Sequence, residues 1–106
     1  MLCLGMRLIA WNKLAAFAAT HPDAAAAITH WHMIVKAANW DSMNDVKAAF
    51  SNATVLNGER ARFEIAGGKF RLIVAFKFGR SKIAFVKFVG THAEYDAVDA
   101  LTVSQF

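Results

Sequence analysis

Between positions 60 and 90 the chain carries Arg60, Arg62, Lys69, Arg71, Lys77, Arg80, Lys82 and Lys87 against Glu64 alone, eight charges against one and a net +7. Arginine pairs bidentately with phosphate, so a dense set on neighbouring strands suits a polyanion. Directly downstream, Thr91-His92-Ala93-Glu94-Tyr95-Asp96 gathers groups that give or take protons. Histidine among them titrates near neutral pH. Cations beside proton-transferring groups suit chemistry on a phosphate, and nucleic acid is the default polyanion. An acidic protein or an anionic membrane surface is the alternative. The ordinary reading is a solvated strand face with lysines for solubility.

Other chemistries find less support. The close pair His30-Trp31-His32 has its histidines two apart, which on a helix point in different directions, with no cysteine or clustered carboxylates nearby. No metal site and no cofactor is expected. Ala66-Gly67-Gly68-Lys69 lacks the spacing of a phosphate-binding loop and reads as a hairpin turn. The single cysteine, Cys3, makes neither a disulfide framework nor a metal cluster.

The elements that must position the basic residues follow from the hydrophobic period. Residues 7–10 are short and apolar, a strand or the lead-in to a helix. Residues 11–19 space Leu14, Phe17 and Ala18 for a helix. Pro22 and Asp23 suit the start of a second, running to about Ala38 with Ile28, Trp31, Ile34 and Val35 on one stripe. Ser42 and Asp45 resemble a capping box ahead of a short third helix. The period then changes to alternation. Asn57-Gly58 and Gly67-Gly68 are turns, and Gly79-Arg80-Ser81 is a third. Phe70, Leu72, Val74, Phe76 and Phe78 share one strand face. Arg71, Ile73, Ala75 and Lys77 share the other, whose apolar members Ile73 and Ala75 imply a face that is concave or partly covered. Thr91 suits the cap of a short terminal helix. The order is strand, two or three helices, four antiparallel strands and a short helix.

The 106 residues fit one domain, residues 1–106. At 57% hydrophobic, the chain still has no apolar run near the roughly 20 residues of a membrane span, and its start does not read as a signal peptide. No membrane partner and a cytoplasmic location are the expectation. Residues 1–59 are charge-balanced, so the excess lies in the strands.

Several runs carry a resemblance. They are Arg62-Phe63-Glu64-Ile65, Gly68-Lys69-Phe70-Arg71-Leu72-Ile73-Val74 and Phe88-Val89-Gly90-Thr91-His92-Ala93-Glu94-Tyr95-Asp96, with His21-Pro22-Asp23-Ala24 and Val46-Lys47-Ala48 upstream. Together they resemble the HigB toxin family of the RelE-like superfamily, over about residues 6–103. The last run is the most specific. Residues 1–5 then read as a possible upstream extension. The resemblance implies an α+β RelE-like fold, a small curved and mainly antiparallel sheet covered on one face by the N-terminal helices. It implies a metal-free ribonuclease that cuts messenger RNA, typically on translating ribosomes. It also implies a HigA-type helix-turn-helix antitoxin as partner. Glu64 departs from the family pattern, which expects a neutral polar residue; it either serves as a base or weakens RNA binding.

RNA carries its own nucleophile, the 2′-hydroxyl. A protein has to align it with the phosphorus, remove its proton, stabilise the phosphorane and protonate the leaving oxygen. Arg71, on the polar face of the central strand, is the first candidate for transition-state charge, and Arg62 next door is a phosphate clamp. Lys69 and Lys87 are further phosphate contacts or candidate bases. Arg60 and Lys77 extend the RNA-binding face. His92 is a natural acid or base, and Tyr95, three residues on, faces the same side and suits stacking or orientation. Each also has an ordinary alternative: surface charge for Arg62 and Lys69, an edge-strand charge for Lys87, helix capping or core sealing for His92 and Tyr95. An RNA-binding module without catalysis and a ParE-like gyrase inhibitor on the same fold are the competing functions.

Overall fold

A computed structural model describes residues 6–106. Cys3 and the proposed extension at residues 1–5 lie outside them. The elements run β1 (Arg7–Ile9), α1 (Trp11–Thr20), α2 (Pro22–Ala37), α3 (Met43–Ala49), β2 (Thr54–Val55), β3 (Arg60–Ile65), β4 (Phe70–Lys77), β5 (Ile83–Thr91) and α4 (His92–Asp96). This is the α+β order read from the period change. The five strands form one sheet in the order β1-β5-β4-β3-β2, antiparallel except for β1 against β5.

The alternating strands send Ala61, Phe63 and Ile65 of β3 and Phe70, Leu72, Val74 and Phe76 of β4 to one side. There they meet Leu14 of α1 and Ala24, Ile28, Trp31 and Val35 of α2, all buried. Aromatic rings set the spacing of this layer. Trp31 meets Phe63 edge-on at 5.4 Å, Phe17 meets Phe70 at 5.5 Å, and Trp40 meets Phe76 at 5.7 Å. Ile34 stays only half-buried, because the buried stripe on α2 runs through 24, 28, 31 and 35. Among the described residues, no helix is long and apolar enough to cross a membrane.

One local expectation changes. Ser42 stands at the N-cap of α3 but its side chain caps nothing, and Asp45 accepts from the Asp41 backbone N–H at 2.8 Å instead. The capping box forms at α4. There Thr91 Oγ1 accepts from Glu94 N at 3.1 Å and Glu94 Oε1 accepts from Thr91 N at 2.8 Å. β1 flanks β5 only along Ile83–Phe85, so Lys87 lies on a stretch of β5 with no strand beyond it among the described residues. There the register passes from Ile73 opposite Phe88 to Val74 opposite Val86, which makes Lys87 the extra residue of a bulge.

On the second sheet face Ile73, Ala75 and Phe88 are buried without joining the helix-side core. The C-terminal segment crosses this side. The Arg60 guanidinium donates to the carbonyls of Val103 at 2.8 Å and Ala100 at 3.1 Å. Gln105 binds Lys87 O through its backbone N–H at 2.8 Å and accepts from Val89 N at 2.9 Å. The C-terminal segment is thus tied to this side of the sheet at Arg60 and to β5 at Lys87 and Val89.

On the helix side, His32 stacks on Trp11 at 4.2 Å with the rings 12° apart. Burial first, and Lys36 second, hold its imidazole below the ordinary value of 6.5. The unfolded chain then takes up the proton at higher pH than the folded one, so this site lowers stability as pH falls from about 6.5 towards the depressed folded value. Urea midpoints measured across that interval should decline less steeply for His32→Gln than for the wild type. An unchanged acid slope would remove His32 as a cause.

Candidate functional site

The β3–β4 hairpin decides which charges meet. Gly67 and Gly68 adopt φ of 70° and 90°, left-handed values that glycine takes without a steric cost. The tight turn fixes Ile65 opposite Phe70 and therefore Glu64 opposite Arg71. On the next strand Arg71 faces Gly90. Glu64, Arg71 and Gly90 thus form a row across β3, β4 and β5, on the face away from the helices. A Cβ at Gly68 would stand 2.8 Å from Glu64 Oε1, so the turn also leaves space for this carboxylate.

Glu64 Oε2 lies 3.4 Å from Arg71 Nη1 and 3.9 Å from Arg62 Nη2. Arg62 also donates to Thr54 Oγ1 at 3.0 Å and to Tyr95 Oη at 3.3 Å. The Tyr95 ring lies under both cations, 5.4 Å from the Arg62 guanidinium carbon and 5.7 Å from that of Arg71. Only 13% of the Arg71 side chain and 22% of that of Arg62 are exposed, against 34% for Glu64. Each arginine also has a buried Nε without a hydrogen-bond partner. Two desolvated guanidiniums therefore share one half-exposed carboxylate and a phenol face. Such a cluster keeps unspent capacity for an anion, because one carboxylate cannot saturate two arginine forks.

Tyr95 reaches the arginines because Gly90 lets α4 approach. A Cβ at Gly90 would meet Phe88 Cζ at 2.8 Å and Glu94 Oε1 at 3.0 Å. Phe88 in turn packs edge-on to Tyr95 at 6.2 Å. The run from Phe88 to Tyr95 therefore has a joint spatial purpose: room at Gly90, a cap from Thr91 and Glu94, and a phenol placed under two cations.

Of the residues expected at the site, Arg62, Arg71 and Tyr95 come together. The others lie apart from these three. Arg60 is buried and binds the C-terminal carbonyls, so it does not extend the RNA-binding face. Lys69 turns to Asp23 at the start of α2, and its hydrogen bond holds that carboxyl below the usual value. Lys77 is exposed at the far end of β4, opposite Ile83. Lys87 lies over the Phe85 ring at 5.5 Å. His92 is largely exposed and its Nδ1 pairs with Asp96 Oδ2 at 3.3 Å. Glu64, expected as either a base or a weakness for RNA binding, joins the site, and Thr54 joins it beyond the expected set. Glu64 is legible as the lone acid of the basic stretch, placed opposite Arg71 by the Gly67-Gly68 turn; Thr54 carries no signal in the sequence.

Residues 24–98 match the family model HigB_toxin, described as the RelE-like toxic component of a toxin-antitoxin system. No curated protein matches the chain significantly. The matched span runs from within α2 to just past α4 and contains Thr54, Arg62, Glu64, Arg71, Gly90 and Tyr95. Within it, Gly90→Val should push α4 outward and separate Tyr95 from the arginines. Crowding of this kind costs roughly 1–3 kcal/mol. Urea unfolding reads that cost, and Gly90→Ala should give a smaller one. Unchanged stability in the valine variant would show that α4 does not rest on this glycine.

Proposed function

The chain belongs to the HigB family of RelE-like toxins of toxin–antitoxin systems, and on that premise we propose that it is a metal-independent endoribonuclease acting on messenger RNA at the Arg62–Glu64–Arg71–Tyr95 cluster. The observation that carries this reading is the shared carboxylate, Glu64 Oε2 at 3.4 Å from Arg71 and 3.9 Å from Arg62. It supplies a proton acceptor beside two phosphate-binding forks.

In the proposed reaction the scissile phosphate binds across Arg62 and Arg71. Glu64 takes the proton of the 2′-hydroxyl as the 2′-oxygen bonds to phosphorus. The guanidiniums hold the charge that builds on the non-bridging oxygens. The bond from phosphorus to the 5′-oxygen breaks, and that oxygen takes a proton from the Tyr95 hydroxyl. Donation from Arg62 to Tyr95 Oη, at 3.3 Å, orients the hydroxyl. The products are a 2′,3′-cyclic phosphate and a 5′-hydroxyl. Tyr95 also offers a face to a neighbouring base. His92, exposed and paired with Asp96, serves at the rim as an RNA contact.

Family membership implies an antitoxin partner. The proposal extends this to a HigA-type helix-turn-helix antitoxin, to translating ribosomes as the setting of cleavage and to a cytoplasmic location. The remaining basic strand residues suit an encounter with ribosomal RNA.

Primer extension on a messenger RNA, with and without translating ribosomes and in EDTA, tests this reading. Discrete cuts should persist in EDTA and increase with ribosomes. Arg71→Ala should lower cleavage by about a hundredfold or more, the usual cost of losing a transition-state donor. Cleavage unaffected by Arg71→Ala would move the site elsewhere. A folded wild type that binds RNA and cuts nothing would leave a binding module.

A further inference from the structure

β2 pairs only with Ala61 and Arg62, so residues 63–65 of β3 have no strand on their outer side among the described residues. A half-open cavity of about 420 Å³ occupies that place. Its walls include His30 and Trp31 of α2, Phe50, Ser51 and Asn52 at the end of α3, and Glu64 of β3. The volume falls within the roughly 300–1,000 Å³ of small-ligand pockets.

Two features bear on its occupant. First, Glu64 lines the cavity and is also, at 3.4 Å, the partner of Arg71, so the cavity adjoins the cation cluster at this residue. Second, the rim is polar and held in place. Lys47 Nζ donates to the carbonyls of Ser51 at 2.6 Å and Ala53 at 2.5 Å, which fixes the turn carrying exposed Ser51 and Asn52. Phe50, half-buried, and His30, exposed, add flat surfaces.

From these features we infer that the cavity receives one base of single-stranded RNA, from the nucleotide next to the phosphate held by Arg62 and Arg71. A base is flat, stacks on aromatic rings and carries acceptors and donors on its edge, which matches this mixture of walls. The inference rests on the ribonuclease reading above, because it takes the phosphate position from it. It adds a specificity element on the helix side of the sheet edge, where Ser51 and Asn52 face the choice among bases.

The test uses 2′-O-methyl RNA hexamers, which lack the nucleophile and are not cut, either intact or with one abasic position flanking the central phosphate. Ala49→Phe fills the cavity from α3, and Asn52→Ala removes an exposed rim amide at little risk to folding. Both should weaken binding of the intact hexamer, Ala49→Phe by about tenfold, the scale of one base left unstacked. Binding of the hexamer whose abasic position faces the cavity should be unchanged. Arg71→Ala should weaken both RNAs. If the folded cavity variants bind intact RNA like the wild type while Arg71→Ala does not, the base pocket is wrong and the phosphate site stands. If Arg71→Ala also binds like the wild type, the phosphate site fails first. Cavity variants that lose antitoxin affinity but keep RNA affinity would assign the pocket to a protein side chain and overturn the inference.

Discussion

The structure depends on a register. The Gly67-Gly68 turn sets Glu64 opposite Arg71, and the bulge at Lys87 leaves Arg71 opposite Gly90. A slip of one residue at the hairpin would turn one strand over against the other, sending either Arg62 and Glu64 or Arg71 into the aromatic core and taking Phe63, or Phe70 and Leu72, out of it. The core and the site are therefore two faces of one alignment. The rings that bury against α1 and α2 make the register costly to change, and the charged row inherits that rigidity. The candidate site consequently sits on strands held by packing instead of on loops, which limits how far either guanidinium can wander.

The second determinant is how positive charge is tolerated under cover. Arg62 and Arg71 are mostly buried, and a buried cation is costly without partners. Glu64, Thr54 and the Tyr95 face provide enough compensation to keep the pair folded. They do not provide enough to satisfy every donor, as the two unpartnered Nε groups show. Arg60 takes the contrasting course. It is more buried still, and both its carbonyl partners lie in the C-terminal segment. Similar residues two apart on one strand are thus divided between holding the chain end and joining the Glu64 cluster.

The sequence displays the layers well and the site partly. Alternation against helical period places the strands and helices, because one buried face per element leaves that signature. Arg62 and Arg71 are legible for the same reason: strand residues facing away from the aromatic side have one place to go. Tyr95 is legible through the short capped helix after Thr91. The lysines are not, since long side chains follow partners that lie far off in sequence, as Lys69 follows Asp23 across the fold. Arg60 misleads because its partners, the Ala100 and Val103 carbonyls, belong to backbone, which carries no side-chain signature. The helix-side cavity is hidden as well, as it arises where β2 stops after two residues.

The most direct test of the central claim is the salt dependence of RNA binding. A non-cleavable 2′-O-methyl RNA would be titrated against the wild type and the Arg62→Gln/Arg71→Gln double variant over a series of salt concentrations. If these arginines hold phosphate, the plot of log Kd against log salt should be shallower for the variant by about 0.7 for each phosphate no longer neutralised. Equal slopes and equal affinities, from a folded variant, would contradict the account and place the RNA on another surface.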